Sequence, residues 1–203
     1  MIAMSSLKTY NAIILSAGRS LRMGRPKMML PFDDNRTFLD VITERYSHFG
    51  CREIVLVVNA ENSPLVDRTV AKKHVTVVVN THPEWQRFYS VQLGLKAMKV
   101  KSPVFIHNID NPFVDGELLQ KMAAALPVKG YVVPVFQGRG GHPVLLSAEV
   151  ARQTVASPDP FVNLKTFLKS FSRVEVESEN DNVLVNINTM QDYLKFKEQK
   201  ELR

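Results

Sequence analysis

Short apolar runs alternate with amphipathic segments along most of the chain. The runs are rich in β-branched residues and are apolar at nearly every position, as in Ile54-Val55-Leu56-Val57-Val58. Strands that are apolar on both faces are typical of a mostly parallel sheet that is covered by helices. In the first half of the chain this pattern predicts strands at 11–16, 53–59, 74–80 and 103–109. Helical patterns alternate with them at 37–49, 63–72, 85–99 and 115–126.

The second half of the chain is less regular. Further strands are predicted at 131–136, 143–147, 173–177 and 183–187, and helices near 160–170 and from 190. No internal repeat, low-complexity stretch or linker divides the 203 residues, so residues 1–203 are expected to form one domain. Repeated strand-then-helix order implies right-handed crossovers. The predicted fold is therefore α/β, a three-layer α/β/α sandwich with a mostly parallel sheet.

Composition narrows the possible ligands and surroundings. Lysine and arginine outnumber aspartate and glutamate by 26 to 20, which gives a net charge of +6. The cations form no extended tract and are not interleaved with aromatic residues, so a small anionic ligand is favoured over nucleic acid. The single cysteine, Cys51, excludes an internal disulfide. Because the sequence shows neither a membrane-spanning apolar run nor a signal-peptide core, a cytoplasmic protein without a membrane partner is expected.

The segment from Ser16 to Lys27 follows the first predicted strand and concentrates glycines and cations. It contains Gly18 and Gly24 together with Arg19, Arg22, Arg25 and Lys27. Glycines let the backbone turn tightly and bring N–H groups close to a ligand, and fixed cations offset the charge of a triphosphate. The spacing matches neither a Walker loop nor a dinucleotide-binding fingerprint. The segment predicts a nucleotide site, with an ordinary basic turn as the alternative.

Polar residues follow several of the predicted strands. Asn80 ends the third strand, Asp110 ends the fourth, and Asn186 and Asn188 end the last. Ligands of parallel α/β sheets lie at the carboxyl ends of the strands, so these side chains are expected to converge. Mg²⁺ prefers one or two carboxylates together with phosphate oxygens and waters. Asp110 is therefore the predicted metal ligand, with a role in an Asx turn as the alternative.

A second metal ligand is predicted among the two late asparagines. Asn186 and Asn188 are two positions apart, and would share a face of a continuing strand. Thr189 followed by Asp192 fits a capping box that opens the last helix, which gives Asn188 a structural interpretation. The sequence therefore favours Asn186 as the second ligand of Mg²⁺.

The histidines do not indicate acid–base catalysis. His107 and His142 have no carboxylate partner nearby in the sequence, and both adjoin turns. No serine–histidine–aspartate or cysteine–histidine arrangement is evident either. His142 is interpreted as part of the wall on the acceptor side. A site of this kind is expected to act by positioning and charge neutralisation, as in phosphoryl transfer.

These segments resemble a known family. The run LSAGRSLRMGRPKMMLPF, at 15–32, resembles the signature L-A-A-G-x-S-x-R-M-G-x-x-K-x-L-L-P of the nucleotidyltransferases of molybdenum-cofactor type. Weaker matches follow in order: 90–95 resembles S-V-Q-A-G-L, 110–112 resembles D-x-P, 138–146 resembles G-R-x-G-H-P-V-L-L, and 186–192 resembles the closing segment. The resemblance spans about residues 11–195. It implies the fold of the nucleotide-diphospho-sugar transferases, known as GT-A-like.

The resemblance also implies roles for individual residues. Arg22 would brace the β- and γ-phosphates, Lys27 would neutralise charge at the α-phosphate, and Asp110 and Asn186 would hold Mg²⁺. The nucleotide would be contacted from the strand-end loop and two later positions: Ser16, Ala17, Gly18, Arg19, Ser20, Gly24, Asn80 and Ser90. The implied reaction moves a nucleoside monophosphate from an NTP, CTP or GTP, to a small phosphorylated acceptor and releases pyrophosphate.

The base and the acceptor are less strongly indicated. The guanylyltransferase branch of the family usually has Gly-Gly where this chain has Ala17-Gly18, and a side chain at 17 favours the smaller base of CTP. Departures from the family pattern at 87–89 and 159–165 affect the acceptor. Molybdopterin, with a molybdoenzyme as partner, is therefore one candidate acceptor. A sugar phosphate or another small phosphorylated molecule is the alternative. A non-catalytic nucleotide-binding relative is a further alternative.

Overall fold

A computed structural model describes residues 9–18, 20, 23–70, 75–99 and 102–201. The strands are β1 (Tyr10–Ser16), β2 (Cys51–Asn59), β3 (Val75–Asn80), β4 (Val104–Asn108), β5 (Gly130–Phe136), β6 (Arg139–Gly140), β7 (Val144–Leu146) and β8 (Ser172–Glu177). The helices are α1 (Phe38–Phe49), α2 (Ser63–Val70), α3 (Gln86–Ala97), α4 (Gly116–Ala125), α5 (Ala148–Ala156), α6 (Leu164–Leu168) and α7 (Met190–Glu201). Short 3₁₀ turns lie at Lys27–Met29, Pro83–Trp85 and Asp181–Leu184.

The described strands form one eight-stranded sheet. Its order is β3-β2-β1-β4-β7-β5-β6, and β8 pairs with β5. β1 lies between β2 and β4 and is parallel to both, and β8 is parallel to β5. β7 is antiparallel to both of its neighbours, β4 and β5. The carboxyl ends of β1 and β4 therefore lie side by side at one edge, beside the point where the strand direction changes.

Helices cover both faces of the sheet, as the apolar pattern predicts. Alternate residues of β1 point to opposite faces, so Ala12 and Ile14 join one apolar cluster and Ile13 and Leu15 join the other. The first cluster includes buried side chains of α1, α4 and α7. The second includes buried side chains of α3, α5 and α6. The result is the predicted three-layer α/β/α sandwich. None of the helices in the described ranges has both the length and the apolar character needed to cross a membrane.

The predicted strand at 183–187 is wrong. The chain forms the 3₁₀ turn Asp181–Leu184 there and then runs extended outside the sheet. Its backbone bonds to loops instead of a strand: the Val183 carbonyl accepts from the His142 N–H at 2.9 Å, and the Ile187 N–H donates to the Asp110 carbonyl at 2.8 Å. An apolar run is therefore buried here without a ladder. The helix α5 was also missing from the prediction, although Ser147 caps it by accepting from the Val150 N–H.

Gly141 lies where this extended segment meets the turn after β6. A Cβ added to Gly141 would stand 2.2 Å from the Val183 carbonyl oxygen, which is backbone and cannot rotate away. Gly141→Ala is therefore expected to lower the free energy of unfolding by about 1–3 kcal/mol, the usual cost of overpacking. Urea unfolding measures this.

Gly116→Ala is the matched control, because a Cβ at Gly116 meets no atom within 4 Å. That variant should be at least as stable as the wild type, since alanine favours helix over glycine. Equal stability of the two variants would show that the segment does not pack as described.

Candidate active site

A cavity of about 500 Å³ opens at the carboxyl ends of β1 and β4. Four parts of the chain contribute to its wall: the loop after β1, the first turns of α3, the end of β4 and the segment before α7. Its principal polar lining residues are Ser16, Ser20, Lys27, Gln86, Arg87, Ser90, Asn108, Asp110 and Asn188. Leu15, Ala17, Gly18, Pro83 and Ile109 complete it. Of the residues expected to converge, the loop after β1, Asp110 and Asn188 line this cavity, whereas Asn80 and Asn186 are not among the described lining residues.

The loop after β1 forms one side of this cavity. Ser16 and Ala17 are buried at the end of the strand, and the Gly18 carbonyl accepts from Asn59 Nδ2 at 3.3 Å. Ser20 lines the cavity with a φ of +50°, and its carbonyl accepts from the Met23 N–H at 2.9 Å. Gly24 has a φ of +69°, is exposed and is not among the lining residues, so it shapes the turn. Arg19 and Arg22 lie outside the described residues.

Ser90 reaches the cavity from α3, and Asn80 supports it from behind. Asn80 is fully buried, its Nδ2 donates to Ser90 Oγ at 2.9 Å, and its Oδ1 accepts from the His82 N–H at 2.7 Å. Asn80 is absent from the described lining of the cavity. Its position fits a residue that orients Ser90 rather than one that contacts the nucleotide.

Lys27, Asp110 and Asn188 meet at the floor of the cavity. Lys27 Nζ donates to Asn188 Oδ1 at 2.6 Å and lies 3.7 Å from Asp110 Oδ2. The two charged side chains are 13% and 21% exposed, so their attraction is only weakly screened by solvent. The bond from the Ile187 N–H to the Asp110 carbonyl, described above, fixes the late segment against the end of β4. The hydrogen bond between Lys27 and Asn188 joins residues that are 161 positions apart in the sequence.

The Asp110 carboxylate is in a mixed electrostatic environment. Burial raises its pKa, whereas the charges of Lys27 and Arg87 act in the opposite direction. Its Oδ1 is buried and has no hydrogen-bond partner among the described residues. A buried carboxylate oxygen without a partner is costly in isolation, so Oδ1 is placed to interact with a group that the described residues do not supply.

The preference for Asn186 as a metal ligand is not supported by its position. Asn186 is exposed, lines a different cavity, and donates from Nδ2 to the Leu184 carbonyl at 2.9 Å. Asn188 instead lines the cavity with Asp110. The capping box is also present, since the Thr189 N–H donates to Asp192 Oδ2 at 2.8 Å and the Asp192 N–H to Thr189 Oγ1 at 3.2 Å. Asn188 thus joins the cap through its backbone and the cavity through its side chain.

A divalent cation fits the described donors only together with a nucleotide. No group of three or more histidine, cysteine, aspartate or glutamate residues in the described ranges could hold a metal ion by itself. Asp110 Oδ1 has no partner among the described residues, and the Asn188 amide oxygen, which accepts from Lys27 Nζ, lines the same cavity. This set suits Mg²⁺, which takes one or two protein oxygens and completes its shell with phosphate oxygens and waters.

His107 has a structural role. It is fully buried, and its Nε2 donates to the Asn111 carbonyl at 2.7 Å, so Nδ1 accepts from Tyr46 Oη at 3.0 Å. Both ring nitrogens are satisfied with the ring neutral, and burial lowers its pKa to about 4. His107 therefore links β4 to α1 and to the turn that follows β4.

His142 lies on the other side of Asn108. Its Nε2 is 2.9 Å from Asn108 Nδ2, an amide donor, so the neutral ring accepts there and carries its proton on Nδ1. Burial, assisted by the positive charge of Arg87, lowers its pKa to about 3. His142 is thus a neutral hydrogen-bonding group and not an acid–base catalyst at neutral pH.

Arg87, Gln86 and Asn108 line the cavity but were missing from the sequence-based site. Arg87 stands three positions before Ser90, so the two share a face of α3. That spacing could have identified it. Asn108 is two positions before Asp110 at the same strand end, the position where a polar residue is expected to face a ligand.

Comparison with known proteins identifies similar chains. Residues 12–174 match the family described as the MobA-like NTP transferase domain. The molybdenum cofactor cytidylyltransferase of Escherichia coli (strain K12) is 28% identical over 192 residues, which cover 95% of this chain and 97% of that protein.

Two further relatives extend the comparison. The 2-C-methyl-D-erythritol 4-phosphate cytidylyltransferase of Geobacillus kaustophilus (strain HTA426) is 30% identical over 128 residues, 62% of this chain and 56% of that protein. Rv0371c of Mycobacterium tuberculosis H37Rv, whose structure was solved in complex with manganese, superposes with a TM-score of 0.73 at 19% identity, over 94% of this chain and 99% of that one. The structural likeness supports the described fold.

His107 and His142 are expected to stay neutral between about pH 5 and pH 8, since their lowered pKa values lie below that range. NMR of ¹⁵N-histidine-labelled protein should show constant ring shifts for both over this range. The proton should reside on Nε2 of His107 and on Nδ1 of His142. A midpoint near pH 6.5 for either ring, or the opposite tautomer, would contradict the described geometry.

These two pKa values also make stability depend on pH. In the unfolded chain both rings titrate near the ordinary value of about 6.5. Between about pH 4 and 6.5 the unfolded chain then binds more protons, so the free energy of unfolding falls as the pH decreases through that window. Urea unfolding at pH 7 and pH 5 should show a loss of about 2–4 kcal/mol from the two rings together. Equal stability at both pH values would contradict the two buried neutral rings.

Proposed function

Because the chain belongs to the family of MobA-like NTP transferase domains, we propose that it is a Mg²⁺-dependent cytidylyltransferase. It transfers CMP from CTP to an acceptor that carries a phosphate group, and pyrophosphate leaves. The observation that carries this proposal is the Asp110 carboxylate in the strand-end cavity. Its Oδ2 lies 3.7 Å from Lys27 Nζ, and its Oδ1 has no hydrogen-bond partner among the described residues. A buried anion and a cation at one strand end suit a bound metal–triphosphate.

The reaction is a displacement at the α-phosphorus of CTP. An oxygen of the acceptor phosphate attacks this atom, and the bond to the oxygen that bridges to the β-phosphate breaks. Lys27 lies beside Asp110, where the metal and the α-phosphate are proposed to bind, and its charge would offset negative charge at that phosphate. Arg22 is proposed to brace the β- and γ-phosphates. Mg²⁺ held by Asp110 and Asn188 would draw charge from the triphosphate oxygens. Positioning and charge neutralisation thus supply the catalysis.

The nucleotide is proposed to bind along the loop after β1. Backbone groups of Ser16, Ala17 and Gly18 line the cavity beside Ser20, and Ser90 faces them from α3. Asn80 holds Ser90 in position, and Gly24 provides the turn that returns the chain towards Lys27. The buried Ala17 Cβ fills part of the space that a larger purine would need, which favours CTP over GTP.

The acceptor is proposed to be molybdopterin or another small phosphorylated molecule. Relatives named for the molybdenum cofactor and for 2-C-methyl-D-erythritol 4-phosphate support a phosphorylated acceptor without deciding between them. Transfer to molybdopterin would make a molybdoenzyme the recipient partner, in the cytoplasm. The assays below separate these acceptors from each other and from a non-catalytic nucleotide-binding protein.

Pyrophosphate release should be detected with CTP, Mg²⁺ and one of these acceptors, molybdopterin or 2-C-methyl-D-erythritol 4-phosphate. Asp110→Asn should lower kcat at least about 100-fold, because the charged ligand proposed to hold Mg²⁺ at the triphosphate is removed. CTP binding without turnover on either acceptor or on a wider panel of phosphorylated compounds would contradict the proposal and favour a binding protein.

The two late asparagines offer a matched pair of variants. Asn188→Ala should lower kcat/KM at least about tenfold, since loss of a mere partner of a metal ligand already costs that much and Asn188 is proposed to be a ligand itself. Asn186→Ala should leave the rate within about twofold of wild type, since Asn186 lines another cavity. The reverse order would restore Asn186 as the second ligand. Magnesium titration of each variant shows whether the loss lies in metal affinity.

Ala17→Gly is expected to weaken the preference for CTP. Removing a buried methyl group near the nucleotide allows a purine to enter, and a change of one methyl group in a pocket is worth about 10-fold in discrimination. The ratio of kcat/KM for CTP to that for GTP measures this. An unchanged ratio would mean that Ala17 does not contact the base.

A further inference from the structure

A second cavity of about 660 Å³ adjoins the site described above. Gln86 and Arg87, the first two residues of α3, line both cavities. The second cavity is otherwise built from β5, the glycine-rich turn at 138–141, His142 and α6. Arg87 therefore stands at the boundary between the two spaces, and its charge acts on Asp110 on one side and on His142 on the other.

The charge of the second cavity is one-sided. Its lining includes Arg87, Lys165 and Arg173, and no aspartate or glutamate is among the described residues that line it. Arg173 is paired with Glu175 at 2.8 Å, so much of its charge is already offset. Lys165 and Arg87 remain as the two cations that can receive an anion. A concave surface with this balance favours a ligand that carries a negative charge.

His142 adds a hydrogen-bond donor to this cavity. Because its Nε2 accepts from Asn108, the neutral ring carries its proton on Nδ1. Nδ1 is buried and has no partner among the described residues. The lowered pKa described above keeps the ring neutral, so this N–H is retained at neutral pH. A buried donor in a ligand-sized cavity fits an oxygen of a bound molecule.

Apart from Asn163, the remaining side chains of the wall are mostly apolar. The apolar side chains come from β5, β7 and α6: Tyr131, Val133, Val144, Leu164 and Leu168. Leu164 and Lys165 belong to the 159–165 segment, and Arg87 to the 87–89 segment, where the sequence departs from the family pattern. The structure brings these two departing segments together at one cavity. A difference in acceptor would be expressed here.

From this juxtaposition we infer that the second cavity is the acceptor subsite and that it binds an anionic head group beside a flat or apolar body. Arg87 and Lys165 hold the phosphate, and Arg87 keeps it at the boundary with the CTP cavity. His142 is a positioning residue that donates from Nδ1 to the acceptor. The assignment of this cavity to the acceptor rests on the proposed function. Binding of an anionic ligand in the cavity can be measured without turnover.

Phenyl phosphate is a suitable probe, since it combines a phosphate with a flat apolar ring. Calorimetric titration of the wild-type protein should detect binding, and phenol, which lacks the phosphate, should bind at least about tenfold more weakly. Arg87→Gln and Lys165→Gln should each weaken phenyl phosphate about tenfold, as expected for the loss of a charged hydrogen bond. Saturation should also shift the His142 Nδ1 resonance in ¹⁵N-histidine NMR.

Two controls make the result specific. Lys169→Gln, one turn after Lys165 at the end of α6, and Arg152→Gln on α5 remove exposed cations that do not line the cavity. Both should bind phenyl phosphate like the wild type. The inference is overturned if the wild type does not bind the probe, if all four variants behave alike, or if the His142 resonance does not move.

The outcome is separable from that of the proposed function. Pyrophosphate release with unaltered acceptor KM in Arg87→Gln and Lys165→Gln would leave the cytidylyltransferase intact and overturn the acceptor subsite alone. Probe binding with the expected losses, in a protein that releases no pyrophosphate, would support the subsite and contradict the transferase.

Discussion

The buried carboxylate of Asp110 is the group on which the candidate site depends. A charge at a strand end, 21% exposed, is costly unless cations or hydrogen bonds compensate it. Lys27 supplies part of that compensation at 3.7 Å, while Oδ1 has no partner among the described residues. The described residues therefore neutralise the pair only partly. This incomplete balance is the basis of the proposal that the cavity binds a cation together with the phosphates of a nucleotide.

The sheet topology explains why the two cavities adjoin. β4 pairs in parallel with β1 and antiparallel with β7, so Asp110 emerges between the loop after β1 and the glycine-rich turn before β7. Asn108 forms a hydrogen bond with His142, which lines the second cavity. The Ile187 N–H donates to the Asp110 carbonyl. Helix α3 begins next to this junction, and its Arg87 lines both cavities. One strand end thus organises both cavities, which are proposed to bind the donor and the acceptor.

Local patterns in the sequence predicted most of the fold and half of the site. Continuous apolar runs identified the parallel strands and the three layers, and the strand-end rule placed Asp110 and the loop that ends at Lys27 at one edge. Ser90, on a helix, was indicated by the family resemblance instead. The 183–187 run was misassigned because its burial comes from packing on loops, which periodicity does not distinguish from a strand. Asn188 was ranked below Asn186 because its long-range hydrogen bond with Lys27 is not visible in local sequence. Arg87 was not named as a site residue, and its position between two cavities likewise depends on distant parts of the chain.

The central claim is that the protein offers a metal only part of its ligands and a nucleotide supplies the rest. Manganese binding followed by electron paramagnetic resonance tests this directly, with and without CTP. The account predicts weak Mn²⁺ binding by the protein alone and binding at least about tenfold tighter when CTP is present, beyond what free CTP explains. In Asp110→Asn this gain should disappear. Equal Mn²⁺ affinity with and without CTP, or an unchanged gain in Asp110→Asn, would contradict the account.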